Sequence, residues 1–184
     1  VDVYSTANDA PVTVLRDAKD GHAVMTLETA DITRLEAEGW RAPEVFAAKG
    51  RDGKTDMWGL IIRPSNFDPT KKYPILEYIY QGPGDHYVPK EFTAHHYYMS
   101  SIAELGFIVV MVDGMGTSFR SREFENICHK NLKDAGLPDH ISWIRAAAEK
   151  YPYMVICRVF SYGCSGGGQY AMFAVPFRPE FSNA

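Results

Sequence analysis

The run Val155-Ile156-Cys157-Arg158-Val159-Phe160 leads through Ser161 and Tyr162 into Gly163-Cys164-Ser165-Gly166-Gly167. A mostly apolar strand therefore enters a Gly-x-Ser-x-Gly turn, and the residues that follow suit a helix. Few patterns restrict a chain more. A serine held there must project its hydroxyl from the end of a sheet on a tight turn, and any side chain at 163 or 167 would strike the neighbouring strand and helix. The spacing predicts Ser165 as an acyl-transfer nucleophile, Gly163 and Gly167 as the glycines of its elbow, and the Gly166 amide as an oxyanion donor. A phosphate-cradling loop does not fit, because no Gly-Lys-Ser/Thr follows.

Upstream, the pattern supplies the sheet such a turn needs. Strands are predicted over 73–80, 107–113 and 156–161, and they alternate with helices near 98–105, over 138–150 and from about 167. Ile141, Ile144, Ala148 and Tyr151 form one apolar stripe on the second helix. Strands alternating with helices imply a parallel sheet covered on both faces. The fold class expected is α/β, the N-terminal part of an α/β-hydrolase fold: the first five or so strands through the helix of the elbow. Before it, hairpins are predicted from 12–15 with 23–27 and from 44–48 with 55–63, separated by a short helix that Asp31 caps and Gly39 ends.

Composition excludes several other classes. A net charge of -4 and a pI near 5.9 leave no basic footprint for nucleic acid. The longest apolar run, 107–112, closes at Asp113 and is far too short for a membrane segment. Three cysteines with neither metal spacing nor an even count do not make a disulfide scaffold. The chain opens on Val1 without a basic and apolar leader, so it is expected to be cut from something longer. The sheet would then keep an open edge and an open face, and poor solubility or association of the isolated chain, as in a homo-oligomer, is expected.

Beyond the elbow, several segments occur in a specific order. They are Arg51-Asp52-Gly53-Lys54-Thr55-Asp56, Ile61-Ile62-Arg63-Pro64-Ser65-Asn66, Lys72-Tyr73-Pro74, Tyr80-Gln81-Gly82-Pro83, Gly106-Phe107-Ile108 and Asp113-Gly114-Met115-Gly116. From about Val45 onward the chain resembles the catalytic domain of the prolyl oligopeptidase family of serine peptidases, in its dipeptidyl-peptidase-IV-like branch. The resemblance implies a peptide substrate, no metal or organic cofactor, and the Tyr80 hydroxyl as second oxyanion donor. It also implies that residues 1–42 are the end of a β-propeller and its linker, with the N-terminal portion of the catalytic domain over 43–184. In this fold the acid and base follow the nucleophile. The nineteen residues 166–184 hold neither Asp nor His, so both partners of the triad are expected outside this sequence and the chain alone is expected to be inactive. An esterase or acylaminoacyl hydrolase on the same fold is the alternative activity, because the elbow specifies acyl transfer and not the leaving group.

Five other residues invite a role. Cys164 occupies the variable position before the serine and is expected to be packed. His95 and His96 are adjacent and cannot converge on one ion without further ligands, so a surface or packing role is expected. His86 follows the Tyr80 turn but precedes Ser165 in the chain, unlike the family's base. Asp113 ends its strand at the same sheet edge and is expected to shape the turn at 114–116.

Overall fold

The structure, a computed structural model, describes residues 1–177. Two sheets form. The first is antiparallel, of order β1-β2-β3, from β1 (Asp2–Tyr4), β2 (Val12–Arg16) and β3 (Ala23–Thr29). β2 and β3 are the expected hairpin, and β1 is an addition to it. The helix that follows, α1 (Thr33–Ala37), is entered through Asp31, whose carboxylate accepts the Thr33 amide at 2.9 Å. It ends at Gly39, with φ of 91°.

The second sheet has five strands in the order β4-β5-β7-β6-β8: β4 (Glu44–Lys49), β5 (Asp56–Ile62), β6 (Tyr73–Tyr78), β7 (Ile108–Asp113) and β8 (Met154–Tyr162). β4 and β5 are a hairpin, and β5 runs antiparallel to β7, whereas β6 is parallel to both β7 and β8. The sheet is thus mixed at its hairpin side and parallel where the elbow lies. With its helices it forms the partial α/β-hydrolase architecture expected from the sequence.

Each face has its own core. Ile108, Val110 and Val112 of β7 face a cluster completed by Ile61, Ile75, Trp143, Ile144 and Ala147, while Val109 and Met111 face Leu60, Ile62, Met99 and Ala103. Burial on both sides explains why β7 reads as an unbroken apolar run rather than an alternation. The first face is covered by α4 (Leu137–Lys150), the second by the short α2 (Met99–Ala103), and a further short helix, α3 (Arg122–Asn126), falls between β7 and α4 in the chain. The buried stripe of α4 is Asp139, His140, Trp143, Ile144 and Ala147. It is therefore rotated from the expected one, and Ile141, Ala148 and Tyr151 lie on its margin, partly buried against the same core. Gly59 is the reason the helix sits so close: a Cβ there would lie 2.7 Å from the Trp143 ring. Trp143 is fully buried, donates to the Phe46 carbonyl at 3.2 Å, and would cost about 3–5 kcal/mol to truncate to Ala.

Candidate active site

β8 ends at Tyr162, and α5 (Gly166–Phe177) begins after three residues. Ser165 stands between them with φ of 54°, a left-handed conformation that a non-glycine residue adopts only where its surroundings impose it, and its side chain is exposed. The Ser165 carbonyl accepts the Gln169 amide at 3.1 Å and so opens the helical ladder. The amides of Gly166, Gly167 and Gly168 come before that first bond and are oriented along the helix N-terminus.

Two glycines allow this turn. A Cβ on Gly163 would fall 2.4 Å from the Gly167 carbonyl carbon and 2.6 Å from the Ile79 oxygen, and one on Gly167 would fall 2.2 Å from that same Ile79 oxygen. All of these neighbours are backbone. The elbow is therefore seated directly on the end of the adjacent strand, whose Ile79 amide donates to the Tyr162 carbonyl at 2.9 Å.

The next residue along is Tyr80. A Cβ built on Gly166 would lie 3.7 Å from the Tyr80 hydroxyl in ordinary contact, so Tyr80 and the elbow share one sheet end. The Tyr80 ring packs on Tyr87, centroids 4.4 Å apart. Burial first, with Tyr80 and two carboxylates adding to it, pushes the Tyr87 hydroxyl above the usual phenol range and keeps it neutral.

Asp113 holds Tyr87 there. Its carboxylate accepts the amides of Tyr87 (2.8 Å) and Val88 (3.1 Å) and pairs with Lys90 at 2.6 Å. It organises the 85–90 loop rather than the turn at 114–116, which corrects the sequence reading. That turn is held by Asp139, fully buried on α4, which accepts the Met115 amide at 2.9 Å and binds both the backbone amide and the guanidinium of Arg51. The reason is geometric. Asp113 points away from the turn it precedes, and α4 brings a second carboxylate from behind.

Beneath Tyr80 lies a group of polar residues that sequence reasoning did not single out. Gln81 donates through Nε2 to the Val112 carbonyl (3.1 Å) and to His140 Nε2. That makes His140 Nε2 the acceptor, so its ring proton sits on Nδ1 and is donated to Glu77. The other Glu77 oxygen accepts the Ser161 hydroxyl at 3.2 Å. Glu77, Gln81 and His140 are all buried. A signal existed: Glu77 sits between Ile75 and Ile79 on the buried side of β6, where a charge requires a partner. His140 is not a base for Ser165, since both of its nitrogens are engaged elsewhere.

The remaining candidates separate. His86 is half-buried, with Nδ1 3.4 Å from Asp85 and its ring edge-on to Phe119. His95 stacks on Tyr98, and His96 is buried with Nδ1 3.3 Å from the Ser100 hydroxyl. Cys164 is exposed instead of packed, as is Tyr162 two residues before it at the end of β8. Clefts of about 570 Å³ beside Arg51 and Phe124 and of about 340 Å³ beside Trp58 and Phe119 do not include Ser165.

The sequence profile of the prolyl oligopeptidase family matches residues 91–183, half of the chain, and takes in the elbow. The chain belongs to the prolyl oligopeptidase family. Within it the similarity is to the dipeptidyl-peptidase-IV-like branch. A protein of Arthroderma gypseum assigned as a dipeptidyl-aminopeptidase B is 44% identical over 107 residues, 58% of this chain and 11% of that protein. Human dipeptidyl peptidase 8 is 29% identical over 139 residues, 75% of this chain and 15% of that protein. The crystal structure of a Bacteroides ovatus protein assigned as a dipeptidyl aminopeptidase IV superposes with a TM-score of 0.87 at 28% identity, over 98% of this chain and 26% of that one. This family member therefore spans between a tenth and about a quarter of the length of these relatives.

Proposed function

We propose that this chain carries the nucleophile and oxyanion site of a serine peptidase that cleaves peptide bonds of oligopeptides through an acyl-enzyme. Ser165 attacks the carbonyl carbon, and the developing oxyanion is held by the Gly166 amide and the Tyr80 hydroxyl. The observation that carries this reading is a left-handed, exposed Ser165 at a strand-to-helix turn with Tyr80 against the following residue. Among the described residues no hydrogen bond reaches the Ser165 hydroxyl, and the proposed imidazole base and its orienting carboxylate come from beyond the elbow helix. We further propose that residues 1–42 are the end of a propeller and its linker. The names of the relatives support release of dipeptides as the first activity to assay.

The test uses the protein expressed from its native reading frame. A fluorophosphonate should label it stoichiometrically at Ser165, and a dipeptidyl amide should be hydrolysed with a kcat/KM above that of a simple ester of equal size. Ser165→Ala should abolish both. Labelling or hydrolysis that survives Ser165→Ala overturns the assignment, and preference for the ester replaces the peptidase with an esterase.

A further inference from the structure

Resting on that reading, we propose that Gln81 is a positioning residue for Tyr80, and that the buried chain Gln81–His140–Glu77–Ser161 locks the oxyanion tyrosine to the strand of the nucleophile. Tyr80 lies past the end of β6, where the strand no longer dictates its backbone. It is gripped from both neighbours. On one side Ile79 bonds to Tyr162 and seats its carbonyl between Gly163 and Gly167. On the other, Gln81 reaches inward and spends both protons of its amide on Val112 and His140.

Each end of the chain is anchored in a different element. Val112 belongs to β7, His140 to α4, Glu77 to β6 and Ser161 to β8, four residues before Ser165. The backbone has been cleared for it. A Cβ on Gly136 would lie 2.1 Å from Gln81 Oε1, and one on Gly114 would lie 3.1 Å from His140. A solvated loop residue would need none of this. The packing implies a requirement for one geometry of the residue beside it, which is Tyr80.

A double-mutant cycle tests this in the native-length protein, with Gln81→Met, Tyr80→Phe and the pair, read as kcat and KM on a dipeptidyl amide and as the fluorophosphonate labelling rate. Tyr80→Phe should lose about 10²–10³-fold in kcat, as for removal of one oxyanion donor. Gln81→Met should lose at least about tenfold in kcat with little change in KM, and the double variant should be no slower than Tyr80→Phe alone. Losses that multiply, or a Gln81→Met loss confined to KM, overturn the proposal. If Gln81→Met does not fold, Gly136→Ala displaces the same side chain and must show the same non-additivity. Activity that persists in Ser165→Ala defeats the peptidase reading itself, whereas activity that depends on Ser165 with multiplying losses defeats only this inference.

Discussion

Replacing Gly163 by Ala places one methyl group where the structure has no room for it. The added carbon would sit 2.4, 2.5 and 2.6 Å from the Gly167 carbonyl carbon, the Gly167 oxygen and the Ile79 oxygen. Relaxed contacts between such atoms are about 3.5 Å, so roughly 1 Å of separation must be found. No rotamer change can supply it, because every obstacle is backbone. Either α5 shifts along with Ser165, or the end of β6 shifts along with Tyr80. Overpacking of this kind costs about 1–3 kcal/mol, which lowers the melting temperature of a domain this size by roughly 2–12 °C. A misplacement of about 1 Å between reacting groups costs on the order of 10²-fold in rate. Thermal melting and fluorophosphonate labelling of the native-length protein measure the two effects separately. Gly166→Ala serves as the stability comparison: the atoms nearest its Cβ belong to the Tyr80 side chain at 3.6–3.7 Å, ordinary contact, and a helical Ala in place of Gly should hold or raise the melting temperature. Equal melting temperatures and labelling rates for Gly163→Ala and wild type would refute the seating of the elbow on Ile79.

Two further outcomes follow from buried groups. Asp139→Asn should destabilise the domain by about 3–5 kcal/mol in urea unfolding, because it breaks an ion pair whose carboxylate is fully buried and weakens the acceptor of the Met115 amide. An effect within experimental error would show that the pair is not buried as described. His96 is held below its ordinary pKa, chiefly by burial and then by His95. The unfolded chain therefore binds a proton that the folded one refuses. This contribution is complete above the unfolded histidine pKa of about 6.5 and is lost as pH falls below it. Unfolding free energy should decline from pH 7.5 to 5.5, and His96→Gln should flatten that slope; an unchanged slope would place the titration on another group.

Much of this molecule could be read from short-range pattern. The two hairpins, the strands of the parallel region and the elbow follow from alternation, apolar runs and glycine placement, all of which act within a few residues. The rotation of the α4 stripe could not be read that way. Pattern places Ile141 and Ala148 inward, but Gly59 opens a slot for Trp143 from across the sheet, and the helix turns to fill it. Asp113 and Asp139 make the same point. Both carboxylates flank the Asp-Gly-x-Gly segment, and which one holds the turn depends on an approach from α4, twenty-six residues away in sequence.

What the sequence determined alone is the local demand of the serine turn: glycines at 163 and 167 around a serine, between a strand and a helix. A tight turn is a matter of sterics within five residues, so it is written in those residues. What only the tertiary structure decided is the company that turn keeps. Tyr80 beside Gly166, Asp113 on the 85–90 loop, and Gln81, His140 and Glu77 joined beneath them come from four separate elements. Their pairing is decided by which buried donors and acceptors the packed sheet leaves facing one another.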